Sequence, residues 1–185
     1  MKARTGSQME CRRNAQRKEG SSMTVEELKE KGAVYFEQIG TGIQNPDRYP
    51  SQIRRMTYPE ACAALMAAWE EAGETNGFCD FYYFRLEREP QVRVCACLTA
   101  EEQRYLKEMG LELEKKRRQE KLPDIIFPLT VPLLQIAAKL NHRAILFSTF
   151  YFTGDPEGRS TWWGNYDQEY IIFRERCYGP LTVRK

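Results

Sequence analysis

Residues 144–176 read AILFSTFYFTGDPEGRSTWWGNYDQEYIIFRER, and the alternation within this stretch decides the fold. Phe and Tyr crowd residues 144–153, the composition of a strand packed on at least one side. Gly154-Asp155-Pro156-Glu157-Gly158 is a concentrated turn signal. Thr161 to Tyr166 and Tyr170 to Arg176 then read as two further strands. Pairing across the turn sets Trp162 opposite Phe150, in the core. Adjacent strand residues point to opposite faces, so Trp163 lies beside Thr149 and Tyr151 on the other side. With Tyr166 close by, this is the Trp–Tyr clustering found at protein interfaces, where a few aromatic anchors carry most of the binding energy.

Upstream, residues 79–98 alternate in the same way and predict a β-hairpin turning at Arg88-Glu89-Pro90. Pairing Glu87 with Gln91 gathers Tyr82, Phe84, Leu86, Val92, Val94 and Ala96 on one coherent face, which is what fixes strand register. The opposite face is mixed. There Arg85 and Arg93 confront each other beside Tyr83 and Glu87, an unfavourable pairing unless an acidic group or an acidic partner intervenes. Together with Trp163, Tyr151 and Tyr166, the residues Arg85, Arg93 and Tyr83 form the candidate protein-contact surface.

Three helix starts share the pattern Thr-x-x-Glu, in which each side chain satisfies the other residue's unpaired amide. Thr24 with Glu27 predicts a helix carrying Val25, Leu28, Tyr35, Phe36 and Ile39 and ending near Gly40. Thr57 with Glu60 opens a second, with Cys62, Leu65, Met66 and Trp69 on one face. Thr99 with Glu102 opens a third, with Tyr105, Leu106, Met109 and Leu113 inward. Residues 42–50 read as loop, and Ile125-Ile126-Phe127 as extended. Thr130 caps a fourth helix with Pro132 in its first turn, apolar nearly all round and therefore buried. The expected fold is thus α+β: a single antiparallel sheet of about five strands, the hairpin 79–98 plus strands within 144–176, packed by three to four helices.

Two regions are expected. Residues 1–22 lack hydrophobic periodicity and hold six basic side chains against Glu10 and Glu19, a net charge of +4. They read as a disordered basic tail. Lys18-Glu19-Gly20 implies purine-rich codons just upstream of Met23, where a bacterial ribosome-binding sequence would fall, so Met23 is a candidate natural start. Residues 23–185 form a single α+β domain. The whole chain carries a net +2, leaving the domain at −2, so general attraction to nucleic acid is not expected of it. The first 22 residues lack the apolar segment of a secretory signal, and the most apolar run is interrupted by Pro128 and Pro132. A cytoplasmic protein without a membrane span, with its six cysteines reduced, follows.

The catalytic inventory is thin. The single histidine, His142, has no acid or nucleophile beside it in sequence. Cys95-x-Cys97, with Cys79 diagonal to them in the predicted hairpin, offers no second knuckle for zinc. Glu175, not Arg176, shares a strand face with Cys177, which works against thiolate formation. Phosphate-binding glycine loops, paired carboxylates and dinucleotide fingerprints are missing. No cofactor or metal is expected. The run Lys115, Lys116, Arg117 and Arg118 sits at a helix end, where cations are favoured, and is the alternative contact for nucleic acid. The expectation is a non-enzymatic domain of inhibitor, immunity or accessory type that occludes or bridges an unidentified protein partner. Nucleic-acid binding through the tail and residues 115–118, or an enzyme with an unfamiliar site, are the alternatives.

Overall fold

Each predicted Thr-x-x-Glu pair starts a helix in the computed structural model, which describes residues 22–117, 125–154 and 157–175, the side chains of 115–117 excepted. The Thr24 N–H donates to the Glu27 carboxylate at 2.7 Å and the Glu27 N–H to Thr24 Oγ1 at 3.1 Å, opening α1 (Val25–Glu30). Thr57 and Glu60 open α3 (Tyr58–Ala72), and Thr99 and Glu102 open α5 (Ala100–Arg117). A further short helix, α2 (Ile39–Ile43), follows α1; α4 (Arg88–Ala96) precedes α5. Thr130 caps α6 (Val131–His142), its Oγ1 accepting from the Leu133 N–H.

Six strands form one antiparallel sheet: β1 (Ser51–Arg55), β2 (Gly77–Asp80), β3 (Ile126–Pro128), β4 (Thr149–Phe152), β5 (Ser160–Gly164) and β6 (Glu169–Arg174). Their spatial order is β1-β6-β5-β4-β2-β3. The fold class is therefore the one the sequence predicts, with six strands for about five: β1 and β3 join the sheet, and the second strand of the expected hairpin is absent. β1 lies between the predicted loop 42–50 and the Thr57 cap, where no element is predicted; all five of its side chains are exposed and leave no alternation to detect.

The first sheet face is the main core. Cys79, Phe150, Phe152, Trp162, Tyr170 and Ile172 meet Leu65 and Ala61 of α3 and Leu133, Leu134, Ile136, Ala137 and Leu140 of α6. Each fully buried Leu or Phe here contributes on the order of 1.5–3 kcal/mol. Trp162 stands opposite Phe150 and Trp163 opposite Thr149, the register the sequence predicts.

Two expectations fail. The hairpin 79–98 does not exist: only residues 77–80 are strand, followed by a 3-10 turn at Tyr82–Arg85 and then α4. Gln91, Val94, Cys95 and Leu98 recur at helical spacing as surely as Val92, Val94 and Ala96 alternate. Pro90 favours a helical first turn, where its missing N–H is harmless. The Gln91 side chain then locks the helix onto the preceding turn by donating to the carbonyls of Tyr83 (3.3 Å) and Leu86 (3.1 Å). Cys95 and Cys97 consequently sit on or just past a helix and not across a strand pair from Cys79. The helix predicted to reach Gly40 stops at Glu30, because Gly32 adopts φ 82°, a left-handed conformation that ends helices. Residues 33–36 run on from there and place Val34 and Phe36 against the second sheet face.

Residues 1–21, the bulk of the predicted basic tail, lie outside the described residues, as do Arg118, Asp155, Pro156 and Cys177.

Candidate protein-contact surface

Register divides the second sheet face into two adjacent cross-strand rows. Phe173, Thr161, Tyr151 and Phe78 are successive partners in one row. Ile53, Ile171, Trp163 and Thr149 are successive partners in the next. The chain from Leu28 to Phe36 covers the first row. Phe36 packs its ring 4.9 Å from Phe173, Tyr35 stacks 6.1 Å from Tyr151, and the Thr161 hydroxyl donates to the Val34 carbonyl. Leu28 and Val34 are themselves buried by this closure.

The second row is closed at one end and open at the other. At the closed end the Asp80 carboxylate accepts from the Thr149 N–H at 2.5 Å and from the Tyr151 hydroxyl at 3.4 Å. Burial pushes its pKa up to about 6 in spite of those bonds, which pull the other way. At the open end Trp163 and Ile171 are half-buried and Ile53 is 62% exposed. The Arg55–Glu169 ion pair, 3.1 Å, flanks Ile53 and Ile171. Just past β5, Tyr166 is 66% exposed, its ring edge-on to Phe147 at 4.8 Å. Indole, alkyl and phenol surfaces bounded by one ion pair suit an interface core with a polar rim.

The predicted contact residues do not gather in one place. Trp163 and Tyr151 share the face as expected, but Tyr151 is only 4% exposed beneath Tyr35 and Leu28. Arg85 and Tyr83, carried by the 3-10 turn, line a separate groove of about 690 Å³ with Cys95, Arg104 and Lys107. There the Tyr83 hydroxyl lies 3.2 Å from the Cys95 sulfur, and burial lifts its pKa to about 12. Arg93 is exposed on α4, 4.0 Å from Glu89 one turn earlier, so it does not confront Arg85. The backbone of Lys115, Lys116 and Arg117 completes α5; their side chains, and all of Arg118, lie outside the described residues. Ile53 and Ile171 went unrecognised as surface residues. Ile171 was legible as strand, whereas Ile53 had only its position between Pro50 and the Thr57 cap.

Polar side chains elsewhere are structural in their contacts. His142 at the end of α6 sits 6.3 Å from the Tyr58 ring, and its buried Nδ1 makes no hydrogen bond among the described residues. Lys139 pairs with Glu102, joining α6 to α5. Burial raises the pKa of both Cys62 and Cys79, the opposite of what a nucleophilic thiolate needs. Among the described residues no group of three or more His, Cys, Asp or Glu is arranged to hold a metal ion, and no helix is long and apolar enough to cross a membrane. Compared with models of protein families, with curated proteins and with solved structures, the chain matches none.

Proposed function

We propose that this protein is a non-enzymatic protein-binding domain and that the open end of the second sheet face is its contact surface. The observation that carries the reading is the row Ile53–Ile171–Trp163, exposed at Ile53 and only partly covered at Ile171 and Trp163, beside a row of the same sheet that the chain closes completely. A monomer gains nothing by leaving Ile53, and the open parts of Ile171 and Trp163, in water. A partner that buries them gains on the order of 2 kcal/mol or more from the Trp anchor alone. Trp163 and Tyr166 are retained from the sequence expectation, and Ile53 and Ile171 join them. Action by occluding or bridging the partner fits a contact surface carried by a sheet face. A cytoplasmic setting belongs to the same reading, in keeping with the free thiols of Cys62, Cys79, Cys95 and Cys97.

The test is photo-cross-linking in the native host. A benzophenone amino acid at position 163 is compared with the same residue at Val92, which is 60% exposed on α4. A covalent adduct to a discrete second protein from position 163 and none from 92 supports the reading. Adducts from 92 alone, or from neither, overturn it.

A further inference from the structure

The outer edge of β1 is the second feature of the sheet that invites company. Two bonds just beyond its ladder to β6 set the phase of its inner edge: the Arg174 N–H donates to the Pro50 carbonyl at 3.1 Å and the Met56 N–H to the Gln168 carbonyl at 3.0 Å. Backbone groups alternate sides along an antiparallel strand. Gln52 and Arg54 therefore face β6 with Pro50 and Met56, while Ser51, Ile53 and Arg55 aim their N–H and C=O groups away from the sheet. All five β1 side chains are exposed. The opposite edge of the sheet is treated differently: there the Met23 N–H donates to the Ile126 carbonyl at 2.9 Å, so the chain itself occupies part of it.

We propose that β1 pairs antiparallel with β1 of a second copy of this chain, about a two-fold axis at Ile53. The sequence Ser51-Gln-Ile-Arg-Arg55 is self-complementary in that register. Ile53 meets Ile53 of the second copy, Gln52 meets Arg54, and Ser51 meets Arg55, so no like charges stand directly opposite. The outward groups at 51, 53 and 55 supply about six new backbone hydrogen bonds, the isologous form of strand addition. Arginines on an edge strand commonly repel another strand. Here they are compensated within the chain: Arg55 pairs with Glu169 at 3.1 Å, and Arg54 lies within electrostatic reach of Glu60. That compensation favours a second copy over an acidic partner strand. Pairing would also continue the exposed row across the axis, Trp163–Ile171–Ile53 from each chain, doubling the apolar platform. The proposal stands on the backbone of β1 and does not require the contact surface proposed above.

Sedimentation velocity of the full chain across the micromolar range tests it. The expected species at the upper end has twice the 21.7 kDa chain mass. Ile53→Pro removes an outward N–H without touching a bond to β6, and is expected to weaken dimerisation at least about tenfold. Ile53→Val is expected to preserve it. A single-chain mass throughout overturns the proposal, as does a dimer indifferent to Ile53→Pro. Should the proline variant fail to fold, hydrogen exchange of the wild-type amides decides. Protection of Ser51, Ile53 and Arg55 that grows with concentration supports the dimer. Protection independent of concentration places another segment of the chain on this edge, and no protection leaves the edge bare; either result overturns it.

Discussion

Phe173, Thr161, Tyr151 and Phe78 form one row of the second sheet face; Ile53, Ile171 and Trp163 begin the next, one pleat away. Both rows are apolar and both lie on the same strands. They differ in what the rest of the chain does. Gly32 ends α1 early and turns residues 33–36 back across the first row, so its aromatics become core. The open end of the second is closed only in part: Ile171 touches the edge of that cover, Trp163 is half-buried and Ile53 is exposed. Apolar composition alone therefore does not distinguish core from contact surface; the path of a distant segment does.

The largest contrast lies between the two tryptophans' faces. Trp162→Ala removes a side chain 4% exposed from the first-face core and is expected to destabilise the fold by about 3–5 kcal/mol in urea unfolding. A loss under about 1 kcal/mol would mean that the register is wrong by one residue.

Next in size is the closure of the first row. Leu28 is fully buried against Phe78 and Tyr151, so Leu28→Ala is expected to cost about 2–5 kcal/mol. The loss should come with faster hydrogen exchange at Tyr151. If Leu28→Ala were silent, the segment 28–36 would not be a true cover, and the two rows would be equivalent.

Asp80 sharpens the comparison through pH. Its carboxyl titrates near 3.8 unfolded and is raised to about 6 in the fold by burial. Below pH ~4 it is protonated in both states. Between about 4 and 6 the folded state holds a proton that the unfolded state lacks, so this group's contribution to stability is lost as pH rises. Wild type should therefore lose about 2–3 kcal/mol relative to Asp80→Asn as pH climbs from about 4 to above 6. Glu60 and Glu102, whose pKa values are lowered by bonds to Thr57, Thr99 and Lys139, act in the reverse sense in both proteins and cancel in the difference. A flat difference would mean that Asp80 is solvated and that this end of the row is open as well.

Local chemistry was legible in the sequence. Thr24, Thr57, Thr99 and Thr130 mark helix starts because a cap depends only on residues within one turn. The turn at Gly154 fixed the β4–β5 register, hence the placement of Trp162 and Trp163. Residues 81–96 were misread because two periodicities overlap there, and the Gln91 bonds that favour the helix reach back to Tyr83 and Leu86. Ile53 was invisible because β1 is a strand only through its pairing with β6, more than a hundred residues away in sequence. Tyr151 was misassigned to the surface because its cover comes from residues 28–36, which the sequence placed in one long helix.

The most direct test of the account is the unfolding free energy of Trp163→Ala, measured beside Trp162→Ala. A contact residue that its own chain leaves only half-buried should cost less than about 1.5 kcal/mol, under half the loss at position 162. A loss at Trp163 equal to that at Trp162 would contradict the account, since it would make the open end of the second row part of the core.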